Sequence, residues 1–71
     1  MSILDLMNET LLPFLEDNTL EFVAFNYAVD YYCQGKKEKL IAQLNQLTAS
    51  LNRNIKLGAR DVLKRAQLET F

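Results

Sequence analysis

Eight apolar residues do most to limit what this chain can become. Leu40, Leu44, Leu47, Leu51, Ile55, Ala59, Val62 and Ala66 recur at steps of 4-3-4-4-4-3-4. At about 100° per residue these positions share one sector of an α-helix, the stripe that a helix buries. A half-buried strand would instead alternate at every second residue. Two glycines and one proline in 71 residues leave few interruptions, so the rest of the chain also favours helix. The expected fold is all-α: a small helical bundle forming one domain over residues 1–71.

Two shorter helices precede the striped segment. Ser2 with Asp5 three residues on has the form of a capping box, and it opens a helix over about residues 3–16. Leu4, Met7, Leu11, Phe14 and Leu15 give that helix its apolar face. Pro13 removes a backbone donor inside it, which predicts a kink or a 3₁₀ step near Leu12 and an end at Asp17-Asn18. Asn18 followed by Glu21 reads as a second cap, opening a helix over about residues 20–34. There Phe22, Phe25, Val29, Tyr32 and Cys33 form one stripe, widened by Val23, Tyr27 and Tyr31, so that burial on more than one side is expected. Gly35 stands where a left-handed C-cap is wanted.

The stripe itself favours one long helix over about residues 37–68. Asn52-Arg53-Asn54 has poor helix propensity, and Gly58 costs about 1 kcal/mol relative to alanine, so a break near Gly58 is the alternative. A continuous helix of that length would run about 50 Å and outreach its neighbours twofold. Its uncovered stripe would need a second copy or another protein to cover it, and a homodimer is the expected assembly.

Composition removes whole classes of chemistry. With no histidine, no imidazole base is available for nucleophilic catalysis. One cysteine and no histidine cannot supply the four N/S ligands of a zinc site, and Cys33 alone cannot close an internal disulfide. Neither glycine belongs to a phosphate-cradling run. No segment reaches the roughly 20 apolar residues needed to span a bilayer, and the N-terminus does not read as a signal peptide. A cytoplasmic, non-enzymatic protein without cofactor or metal is the expectation.

The net charge of −1 conceals a split. Residues 1–34 carry six acids and no Lys or Arg, whereas residues 35–71 carry eight cations and three acids, a balance of −6 against +5. Arg53, Lys56, Arg60 and Lys64 are spaced 3, 4 and 4, forming a basic stripe roughly opposite the apolar one. Leu57 and Leu68 fall among these cations, out of phase with the core pattern. Three uses fit such a stripe: a solvated face balancing the acidic half, a surface for an acidic protein, or a phosphate-binding face for nucleic acid. The stacking aromatics lie in the acidic half and no helix-turn-helix pattern surrounds either glycine, which disfavours the last.

Other residues have plainer readings. Cys33, near a helix C-terminus that disfavours a thiolate, reads as a small hydrophobe inside its helix. Asp5 and Glu9 suit the positive end of the first helix better than a cation site, which would want more oxygens. Tyr27 and Tyr31 read as packed rings with hydroxyls reaching water. The sequence thus points to a protein–protein interaction module, an adaptor, inhibitor or assembly subunit. Its partner-binding residues would be Arg53, Lys56, Leu57, Arg60, Lys64 and Leu68, within a contact segment running to Phe71. A nucleic-acid-binding regulator using the same cations is the alternative, and a non-catalytic subunit of a larger enzyme a third.

Overall fold

A computed structural model covering residues 1–71 contains four α-helices and no strand: α1 (Ile3–Thr10), α2 (Leu20–Cys33), α3 (Lys37–Thr48) and α4 (Arg53–Leu68). A 3₁₀ turn, Leu12–Phe14, follows α1. The all-α bundle expected from the sequence is the fold. No helix is long and apolar enough to cross a membrane.

The ends of the first two helices are set by local chemistry. Ser2 is extended, and its hydroxyl accepts from the Asp5 N–H at 3.1 Å, starting α1. Continued α-helix would drive the Pro13 ring into the Glu9 carbonyl, so α1 stops at Thr10 rather than near residue 16. The chain tightens instead, with Phe14 N–H donating to the Leu11 carbonyl at 3.0 Å. Asn18 sits left-handed at φ 66°, and Thr19, not Asn18, caps α2 by accepting from Phe22 N–H at 3.1 Å. Gly35 closes α2 at φ 72°. Its N–H donates to the Tyr32 carbonyl and that of Lys36 to the Tyr31 carbonyl, the paired bonds of a Schellman cap.

The long helix of residues 37–68 is two helices, and the break falls at Ala49–Asn52 rather than at Gly58. The Ser50 hydroxyl donates to Glu21 Oε2 at 2.8 Å and accepts from Asn52 N–H at 3.1 Å. Asn52 Oδ1 then accepts from the N–H groups of Asn54 and Ile55, capping α4. The residues of poor propensity are therefore the start signal of a new helix. Leu51 leaves the stripe altogether and is fully exposed. The other seven stripe residues are buried, three on α3 and four on α4.

Those two stripes close on each other as an antiparallel hairpin. At its open end the Lys37 ammonium donates to the Glu69 carbonyl at 2.6 Å, joining the start of α3 to the end of α4. Across the molecule α1 packs on α4, α4 on α3, and α3 on α2. The Arg65 guanidinium reaches the Met1 carbonyl, so α1 runs antiparallel to α4.

Gly58, the residue expected to weaken the helix, lies inside it. A Cβ there would collide with the Thr10 carbonyl oxygen and stand 3.1 Å from Leu11 Cδ2. Glycine is present because the end of α1 crosses α4 at this point, not because the helix ends. The shared core takes Ile3 and Met7 from α1, Leu11 at its C-cap, and Ala24, Phe25 and Ala28 from α2. Cys33 lies about 140° round the helix from Ala28 at 100° per residue. It is exposed, not the packed hydrophobe expected.

The molecule measures 29 × 19 × 18 Å, with no 50 Å rod and no uncovered core stripe. The reason for expecting a homodimer on that ground is gone.

Candidate functional site

The outward face of α4 carries the six residues singled out from the sequence. With about 100° between successive residues, Arg53, Lys56, Leu57, Arg60, Lys64 and Leu68 fall within an arc of about 120°. The opposite side of the helix holds the buried Ile55, Ala59, Val62 and Ala66. Arg53, Arg60 and Lys64 are exposed and Lys56 is half-buried. Leu57 is 45% exposed and Leu68 84% exposed, so neither is turned inward by the break in the chain. The structure brings all six together on one surface.

None of these four cations is paired within the chain. The single ion pair joins Arg65 to Glu69 at 3.4 Å, and Arg65 also reaches the Met1 carbonyl. Arg65 and Lys37 hold chain ends, whereas Arg53, Lys56, Arg60 and Lys64 face outward. Acidic and basic halves therefore do not neutralise each other by contact across this face. Asp61, at its edge, is the one acid nearby on α4.

Phe71 is placed elsewhere. Its ring meets Tyr32 edge-on at 5.8 Å, with the Lys37 ammonium 5.8 Å from its centroid. The chain end thus folds back on α2 and α3, away from the α4 arc. Tyr27 and Tyr31 stack at 6.1 Å, and Lys39 lies over the Tyr31 ring. No group of three or more Cys, Asp or Glu side chains gathers round Asp5 and Glu9.

A second surface lies where no sequence pattern marks it. Between α2 and α3 runs a groove of about 620 Å³ whose rim includes Leu20, Val23, Tyr27 and Leu51. Leu20 is 86% exposed and Leu51 fully exposed, and about half of Val23 and Tyr27 lies open. The apolar arc of α2 is not buried on more than one side as expected: α2 packs mainly on α3 and leaves Val23 and Tyr27 about half open, and Leu51 stands directly before a strong N-cap. Leu51 has the spacing of a core residue, yet its place in the turn leaves it exposed.

Glu21 is the only charged residue lining this groove, and Gln43, Gln46 and Ser50 complete its polar part. The molecule therefore presents a cationic face with exposed leucines and an apolar groove with one acid, Glu21, in its lining. Compared with protein-family models, with curated proteins and with solved structures, the chain matches none.

Proposed function

We propose that this protein is a non-enzymatic protein–protein interaction module, an adaptor, inhibitor or assembly subunit working through the outward face of α4. One observation carries the reading. Four cations without an internal partner share an arc with two exposed leucines, the mixture that an interface uses for steering and anchoring. Leu57 and Leu68 add exposed apolar area to that charged arc, which an interface can use as anchors. The expected partner is acidic and offers an apolar groove to a helix. An unpaired cysteine on the surface suits a reducing compartment such as the cytoplasm.

Nucleic acid is the competing occupant of the same cations. The closed hairpin of α3 and α4 argues against it, because Lys37 ties the two helices at their far ends. A helix-turn-helix splays its pair so that the second helix can enter the major groove.

The test compares immobilised wild-type protein with the double variant Arg60→Glu/Lys64→Glu, both with unchanged helicity. Wild type is expected to retain an acidic protein from its source cells that the variant does not retain. A mixed DNA and RNA pool should not bind at low salt. Equal retention by both forms would overturn the proposal. So would nucleic-acid binding at low salt that weakens as salt rises.

A further inference from the structure

The geometry points to a specific occupant for the groove between α2 and α3: the α4 face of a second copy of this chain. The inference rests on α4 being an interaction surface, and it names one partner for that surface. Leu20, Val23, Tyr27 and Leu51 give the groove an apolar rim left open by the chain's own packing. Its only charged lining residue is Glu21, and Glu16 and Asp17 stand just before α2. No Lys or Arg occurs anywhere in residues 1–34, so α2 and the loop entering it carry negative charge alone.

The α4 face has the converse character, with Arg53, Lys56, Arg60 and Lys64 around Leu57. Each surface supplies what the other lacks: apolar contact for the anchors, and one carboxylate, Glu21, toward the cations, with Lys39 of α3 confined to the far end beside Tyr31. The surfaces are different patches on one molecule, so the contact runs head to tail. Two copies can close it twice about a two-fold axis, and otherwise it continues into larger species. In either case the same contact is formed.

The size of the faces sets its strength. At 1.5 Å per residue α4 is about 24 Å long, and interfaces below about 1,200 Å² in total are weak and transient. The self-association is therefore concentration-dependent and carried by charge. It should weaken by about tenfold or more on passing from low to high salt.

Sedimentation equilibrium of the purified full chain tests this with two variants. Arg60→Glu/Lys64→Glu reverses the α4 face and leaves the groove intact. Leu20→Lys/Leu51→Lys makes the groove cationic through two exposed positions that the core does not need, and circular dichroism checks that both variants remain folded. Wild type is expected to rise above monomer mass towards millimolar concentration. Each variant alone should stay monomeric, and an equimolar mixture of the two should associate again.

A wild type that stays monomeric throughout would overturn the self-pairing. So would association surviving in either variant alone, or a mixture that fails to associate. A monomeric wild type that still captures an acidic protein through Arg60 and Lys64 would overturn only the self-pairing. A wild type that self-associates as expected but captures no acidic protein through Arg60 and Lys64 would instead remove only the broader reading.

Discussion

Gly58 carries a backbone crossing that any side chain would obstruct. In an exposed helix interior, glycine to alanine gains about 1 kcal/mol through propensity. Here the added methyl meets the Thr10 carbonyl, a backbone atom that cannot move without shifting α1. Overpacking of that kind costs about 1–3 kcal/mol and outweighs the gain. Gly58→Ala should therefore lower the urea unfolding midpoint. A midpoint at or above that of wild type would mean that α1 does not cross α4 there. Leu51 shows the converse case, a large apolar side chain whose periodicity suggests burial and whose position in a turn denies it.

At the scale of elements, the break between α3 and α4 is held by Ser50 and Asn52. Ser50 is 7% exposed and bridges Glu21 to the Asn52 N–H, while Asn52 caps α4. Replacing both by alanine removes a cap and a buried hydrogen-bonded hydroxyl, for a loss of about 2 kcal/mol in chemical denaturation. In one continuous helix the same two alanines would raise stability, because alanine has the higher propensity. The sign of the change decides between the two arrangements.

Much of the element pattern was legible. The Ser2 cap, the 3₁₀ step around Pro13 and the left-handed Gly35 each follow from chemistry within four residues. The hairpin was not, because the steps 4-3 over Leu40–Leu47 and 4-3-4 over Ile55–Ala66 remain in phase across the turn. Periodicity reports which face is buried, not whether the chain has reversed. The turn chemistry around Asn52 carried the missing information, and the repeat masked it.

For the whole molecule, the reversal of α3 into α4 changes what the surface offers. A 50 Å helix would have exposed a core stripe; the folded hairpin covers that stripe within a body 29 Å long. The basic arc of α4 was readable from sequence because it needs only helical periodicity and faces away from the core. The groove between α2 and α3 was not, because it exists only once α3 ends and lets Leu51 line the same groove as Leu20. Charge separation along the chain becomes separation between faces, with the cations of α4 unpaired and α2 free of cations.

The central claim, that α4 docks through its outward face and finds its complement on α2 and α3, is tested most directly by amide-resolved NMR. The ¹⁵N-labelled chain would be followed as unlabelled chain is added, from micromolar to millimolar. The amides of Leu57, Arg60 and Lys64 should shift together with those of Val23, Tyr27 and Leu51, and high salt should reverse the shifts. Amides of Asp5 and Glu9 on α1 should stay still. A spectrum unchanged over the whole range, or shifts centred on α1, would contradict the account.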